Sequence, residues 1–105
     1  MSTSVSRQSD PERFEITSEG EVAGFAQFVD HDGRRVFFHT EIGEEFGGRG
    51  LAATVVRAAL DATRAEGLRV VPVCPYVEKY VESHDDWADL VDPVTPAALQ
   101  AVPRD

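Results

Sequence analysis

Three of the four residues from 47 to 50 are glycine, and they run straight into an apolar periodicity that closes on a fourth glycine, Gly67. Leu51, Ala52, Val55, Val56, Ala59 and Leu60 recur at helical spacing with Arg57, Asp61 and Arg64 on the other side, which predicts one helix from Gly50 to Glu66. Gly67 stands where a C-cap glycine belongs, and Leu68-Arg69-Val70-Val71-Pro72-Val73 reads as the short apolar run of a buried parallel strand. A strand, a glycine loop, a helix and a second strand form a βαβ unit with a right-handed crossover, so the strands ending at Ile42 and Val73 should lie side by side and point the same way. The loop then sits at the carboxyl ends of those strands, where such units place ligands. Glycine lets backbone approach a ligand closely, and the first N–H groups of the helix face the loop, a layout that suits a phosphate. Taken alone, the same loop reads equally well as a tight turn.

Ahead of this unit the pattern is antiparallel. Arg13-Phe14-Glu15-Ile16-Thr17 alternates as a half-buried strand, Ser18-Glu19-Gly20 turns the chain, and a second strand runs from Glu21 to Val29. Asp30-His31-Asp32-Gly33 makes a hairpin connection into a third strand from Arg34 to Ile42. After Cys74, Pro75 opens a short helix over Tyr76–His84 with Tyr76 and Tyr80 on one face, and Trp87, Leu90 and Val91 read as an anchor on the core. The fold class is α/β (α+β). With 105 residues and 42% apolar content the chain builds one core: a polar, serine-rich disordered leader over 1–11, a domain over 12–92 and a tail over 93–105 in which Thr95–Gln100 suits at most a weak helical turn.

A net charge of −9 argues against nucleic acid or an anionic membrane as partner. One cysteine, Cys74, excludes an internal disulfide and a multi-cysteine zinc site and fits a reducing compartment. No apolar run approaches the roughly 20 residues that span a bilayer, and Met1–Arg7 lacks the apolar segment of a signal peptide, so the expected location is cytoplasmic. The three histidines are too scattered to suggest a metal site.

The order of strands, the loop Glu45-Phe46-Gly47-Gly48-Arg49-Gly50-Leu51-Ala52, and the pieces Phe38-His39-Thr40-Glu41 and Val71-Pro72-Val73-Cys74-Pro75-Tyr76-Val77 together resemble the GNAT superfamily of acetyl-CoA-dependent N-acetyltransferases, in particular its minimal single-domain branch. The resemblance covers nearly everything from Phe14 to Val91. The superfamily loop usually reads Gln or Arg, two residues, Gly, one residue, Gly or Ala; Glu45 departs from it. The resemblance implies that coenzyme A lies where the two parallel strands splay apart, with backbone near Ile42 on the pantetheine arm, the N–H groups of Phe46, Gly47, Gly48, Arg49 and Gly50 on the pyrophosphate, and Leu51 and Pro75 flanking it. Arg49 offsets the charge of Glu45. On this reading Gly48→Val should abolish binding by closing the cradle with its branched Cβ.

The catalytic candidates are Cys74, His39, Glu41 and Tyr76. His39 and Glu41 are two apart on one strand and share a face, and Cys74 ends the neighbouring strand, which puts the thiol within reach of the imidazole. In the minimal branch the cysteine of Cys-Pro-Tyr and the histidine of His-Thr-Glu are the implied catalytic pair, and both match. Cys74 would carry the acetyl group, or His39 or Glu41 would deprotonate an amine that attacks acetyl-CoA directly, with Tyr76 protonating the leaving thiolate or lining the channel. The residues alone also read as a buried small hydrophobe at Cys74, a strand-end His39 and a solvated Glu41. Phe37 and Phe38 face opposite ways, so at least one is core, while Tyr80 packs and Lys79 sits on a solvated helix face.

The function expected is acetyl transfer from acetyl-CoA to an amine by a monomer. The acceptor is a small amine, a polyamine or a protein tail, since the chain has no room for an enclosed acceptor pocket. The alternative is a CoA-binding or interaction module with little turnover.

Overall fold

A computed structural model describes residues 3–9, 11–48 and 50–103. Five strands form one sheet in the order β1(Thr3–Gln8), β2(Arg13–Ser18), β3(Glu21–His31), β4(Arg34–Ile42), β5(Arg69–Pro72), with helices α1(Leu51–Ala65), α2(Pro75–Ser83) and α3(Pro96–Ala101). The first four strands are antiparallel neighbours, and β5 pairs with β4 in parallel through α1, as the βαβ reading requires. One expectation fails at the N-terminal end. Thr3–Gln8, read as part of a disordered leader, pairs along its whole length with β2. A polar edge strand buries little on either face, so neither alternation nor apolar content announces it. In the tail the turn allowed over Thr95–Gln100 forms as α3: the Thr95 hydroxyl accepts from the Ala98 N–H and caps it, with Pro96 at its first turn.

The main core lies between the sheet and α1. Phe14, Ile16, Ala26, Phe28 and Phe37 from the strands meet Leu51, Val55, Val56, Ala59 and Leu60 from the helix, and Trp87 and Leu90 close it at one end. The helix terminates as its sequence predicts. Gly67 takes φ 75°, its N–H bonds to Arg64 O, and the Leu68 N–H bonds to Thr63 O, the paired bonds of a Schellman cap. On the opposite face a smaller cluster of Val36, Val71 and Ala98 lies under α3. The segment after the second helix runs back beside β5, where Leu90 O accepts from Val70 N and Asp92 N donates to Val70 O. Asp92 also accepts from Arg34 Nε at 2.8 Å and from Arg69 Nε at 2.6 Å.

Arg35 is buried, at 0% exposure. Its guanidinium binds Asp30 at 2.8 and 3.0 Å and Glu66 at 3.0 and 2.9 Å, and it lies 4.5 Å above the Phe28 ring. Five donors in a planar fork suit two bidentate carboxylates, and both carboxylates are partly solvated, so only the cation is taken fully out of water. This ties the end of α1 to the β3–β4 hairpin. Among the described residues no helix is long and apolar enough to cross a membrane.

Candidate functional site

The pairing of β4 with β5 ends early. It runs from Arg34–Arg69 to Phe37–Pro72, and the last bond is from Cys74 N to Phe37 O at 2.8 Å. Pro72 and Pro75 stop the ladder because neither can donate to it, and the chain turns away into α2 with Pro75 at its first position. β4 continues alone on that side to Ile42. The two parallel strands therefore part at Phe37, leaving a slot beside residues 38 to 42 whose wall is the free edge of β4.

A glycine loop leads from the end of β4 to α1. Glu44–Phe46 makes a 3₁₀ turn that buries Phe46, and Gly48 and Gly50 take φ of 80° and 72°. Gly50 is the N-cap of α1 and no side chain caps it. The first helical acceptor is Gly50 O, 3.2 Å from Thr54 N, so the N–H groups of Leu51, Ala52 and Ala53 precede any intrahelical bond. A Cβ on Gly48 or Gly50 would meet nothing within 4 Å. The loop leaves room for a side chain at Gly48 and Gly50, and it is their positive φ that favours glycine within the protein itself. Glu45 is exposed, and its carboxylate folds back over Gly43, 3.4 Å from where a Cβ would stand. Arg49 lies outside the described residues.

The strand residues at the slot are sorted by a β-bulge. Gln27 pairs with His39 and Phe28 with Phe37, so β4 carries Phe38 as one extra residue. Without it, alternation from Phe37 would put His39 on the core face, beside Cys74. With it, Ala26 and Thr40 share the core face, and Gln27, His39, Phe25 and Glu41 share the outer one. His39 Nε2 lies 3.1 Å from Glu41 Oε1, and its ring is 5.8 Å from that of Phe25. Cys74, 4% exposed and part of the main core, hydrogen-bonds the Thr40 hydroxyl at 3.4 Å. The structure thus joins His39 to Glu41, as the spacing predicts, and does not join His39 to Cys74. Phe37 is core and Phe38 is half-buried.

The remaining candidates fall around the slot. Ile42 is half-buried against the core, Leu51 is buried and Pro75 is exposed. Tyr76 is 40% exposed on α2, and burial first, then the neighbouring Tyr80, push its phenol above its ordinary value. Tyr80 packs against the core and stacks on His84 at 4.1 Å, and Lys79 is exposed beside it. Among the described residues no group of histidine, cysteine and acidic side chains could hold a metal. From the sequence alone, no role in the site fell to Thr40, Phe25, Gln27 or Phe38. The signal for Phe25 and Gln27 was present: Phe25, Gln27 and Val29 alternate with Ala26 and Phe28, so both faces of β3 carry apolar residues.

Residues 13–90 match the family model of the GCN5-related N-acetyltransferases, about three-quarters of the chain. The chain belongs to that family. It is 39% identical over 46 residues to protein NATD1 of Xenopus tropicalis, a stretch covering 44% of this chain and 42% of the relative, and the same identity holds for protein NATD1 of Homo sapiens, of which it covers 41%. The match thus spans under half the length of either relative. In fold, the chain is similar to a GCN5-like protein from Staphylococcus aureus, with a TM-score of 0.67, 18% identity and coverage of 89% of this chain and 91% of that one. It is similar also to the ribosomal-protein-alanine N-acetyltransferase of Brucella melitensis biovar Abortus 2308, with a TM-score of 0.55, 18% identity and coverage of 80% and 63%. An acyltransferase family and a single small domain of mixed sheet and helices follow from these likenesses.

Proposed function

We propose that the protein transfers an acetyl group from acetyl-CoA to an amine, with the reaction centred on the slot between β4 and β5. The observation that carries this is the early end of the β4–β5 ladder at Phe37, with an uncapped helix N-terminus and an open glycine loop at the end of the same strand. Acetyl-CoA supplies an activated acyl group. The N–H groups at the start of α1 and of the glycine loop suit its pyrophosphate, and the unpaired edge of β4 near Ile42 suits the amide-bearing pantetheine arm. Glu45, turned back over Gly43, is no obstacle to that anion.

A chain lying in the slot is in the plane of the sheet, with His39 and Glu41 on one side and Thr40 and Cys74 on the other. This favours direct transfer. Glu41 holds the Nε2–H of His39, which leaves Nδ1 to take the proton from the amine as its nitrogen bonds to the acetyl carbon. The carbon–sulfur bond breaks in the same exchange, and Tyr76 protonates the departing thiolate. A second reading is favoured by the place of Cys74 at the N-cap of α2, just after β5: Cys74 carries the acetyl group before the amine receives it. The single free thiol supports a cytoplasmic setting.

Mass spectrometry of the intact protein after incubation with acetyl-CoA, beside a calorimetric titration with CoA, tests both readings. CoA binding with turnover that survives Cys74→Ala and falls in His39→Gln is the expected result. A gain of one acetyl group that vanishes in Cys74→Ala would establish the acyl-cysteine route instead. Binding without turnover would leave a CoA-binding module, and no binding would refute the proposal.

A further inference from the structure

Resting on the reading above, we infer that the amine acceptor binds in the groove on the outer face of the sheet, and that it is a monoamine with an apolar or aromatic body and not a polyamine. The groove encloses about 690 Å³, within the usual range for a small-molecule site. Phe25, Gln27, Phe38 and His39 form its floor, with Glu12 and Pro103 at the rim. The bulge at Phe38 makes this floor, because the extra residue leaves Phe38 and His39 facing the groove together. His39 is held between the Phe25 ring and Glu41 while its side chain remains 49% exposed. A base fixed on two sides and open on the third faces whatever lies in the groove.

The lining decides the chemical class. Phe38 offers a ring face, the Phe25 ring carries the Arg13 guanidinium 4.7 Å from its centroid, and Gln27 offers an uncharged amide. The single carboxylate in the lining, Glu12, accepts from Arg7 at 3.1 Å and is committed to it. A polyamine or a lysine-rich tail would bring several ammonium groups beside the Arg13 guanidinium while Glu12 and Glu41 are already engaged by Arg7 and His39, and the attraction of a ring face does not replace a carboxylate. A single amine at His39 with its apolar body on Phe38, beside Phe25, leaves no further ammonium to be placed near Arg13. The net charge of −9 draws cations to the protein at large, but it is not concentrated in this groove.

The test is an amide NMR titration of the full chain with phenethylamine and, separately, with spermidine, followed by addition of CoA and then acetyl-CoA. Phenethylamine should give saturable shifts at Phe25, Gln27, Phe38 and His39, spermidine should bind there at least about tenfold more weakly, and N-acetylphenethylamine should form. Gln27→Glu adds a carboxylate to the floor and should reverse the preference toward spermidine, while Phe38→Ala should weaken phenethylamine about tenfold with an unchanged far-ultraviolet spectrum. Tighter binding of spermidine by the unmodified protein, shifts of phenethylamine elsewhere, or groove binding with CoA bound but no acetylated product would overturn the inference. Failure of the cofactor reading is seen separately, as CoA shifts missing from Gly47–Ala52 whatever the amine does.

Discussion

Glu66→Gln isolates one half of the clamp on Arg35, and its cost can be worked from the structure. Glu66 accepts from Arg35 at 3.0 and 2.9 Å and from Arg7 at 3.0 Å. The Arg35 hydrogen bonds lead in holding its carboxyl down from 4.5 to about 2. That gap of about 2.5 pH units, at about 1.36 kcal/mol each, sets a ceiling of about 3.4 kcal/mol. The Glu66 side chain is 40% exposed, so solvent screening cuts the figure to about 1–2 kcal/mol. The amide keeps the shape and loses the charge, leaving Arg35 buried with Asp30 as its one carboxylate. Because the folded value lies below the unfolded one, the contribution is whole above about pH 5 and is lost as pH falls toward 2, with roughly half gone by pH 3. Urea unfolding at pH 7 should therefore show a lower midpoint for Glu66→Gln, equivalent to about 1–2 kcal/mol, and the gap between the two proteins should narrow steadily from pH 5 to pH 3. Asp89 and Asp92 are also held low by Arg64 and Arg69, but they are common to both proteins and cancel in the difference. A gap that stays constant from pH 7 to pH 3 would refute the reasoning, since the loss would then come from packing and not from the carboxylate charge.

Two further substitutions test the site's backbone. Gly48→Val has room for its side chain but is forced to keep a φ of 80°. It should cost about 1–2 kcal/mol in urea unfolding and, by calorimetry, weaken CoA several-fold to about thirtyfold without abolishing it. Gly24→Ala is the opposite case: a Cβ there would collide with the Glu41 carbonyl and lie 2.9 Å from Ile42 Cα, so β3 and β4 must part. It should destabilise the protein by about 2–3 kcal/mol and weaken CoA binding by moving Glu41 and Ile42, and an unchanged urea midpoint would show that the strands do not approach as described.

Much of this protein is determined locally and was legible in the sequence. The helix from Leu51 to Ala65, its glycine cap, the parallel β5 and the hairpin at Asp32-Gly33 follow from periodicity, turn chemistry and the two prolines that end the ladder, all of which act over a few residues. The pairing of His39 with Glu41 followed from a period of two alone. β1 was not legible, because a polar edge strand is stabilised by backbone bonds to a partner whose position the strand does not encode. Arg35 reads as one more charged strand residue until Asp30 and Glu66, 31 positions from it in the second case, close on it in space. The decisive case is Phe38. In the sequence it continues an alternation that sends His39 toward Cys74; in the fold, β3 sets the register on both sides of it, and the two registers differ by one residue. The strand absorbs the difference as a bulge, which gives Thr40 to Cys74 and turns His39 to the outer groove. The sequence by itself determined which residues could serve as base, thiol and cradle; which of them meet was decided by tertiary structure, because side-chain facing depends on a register that two strands set together.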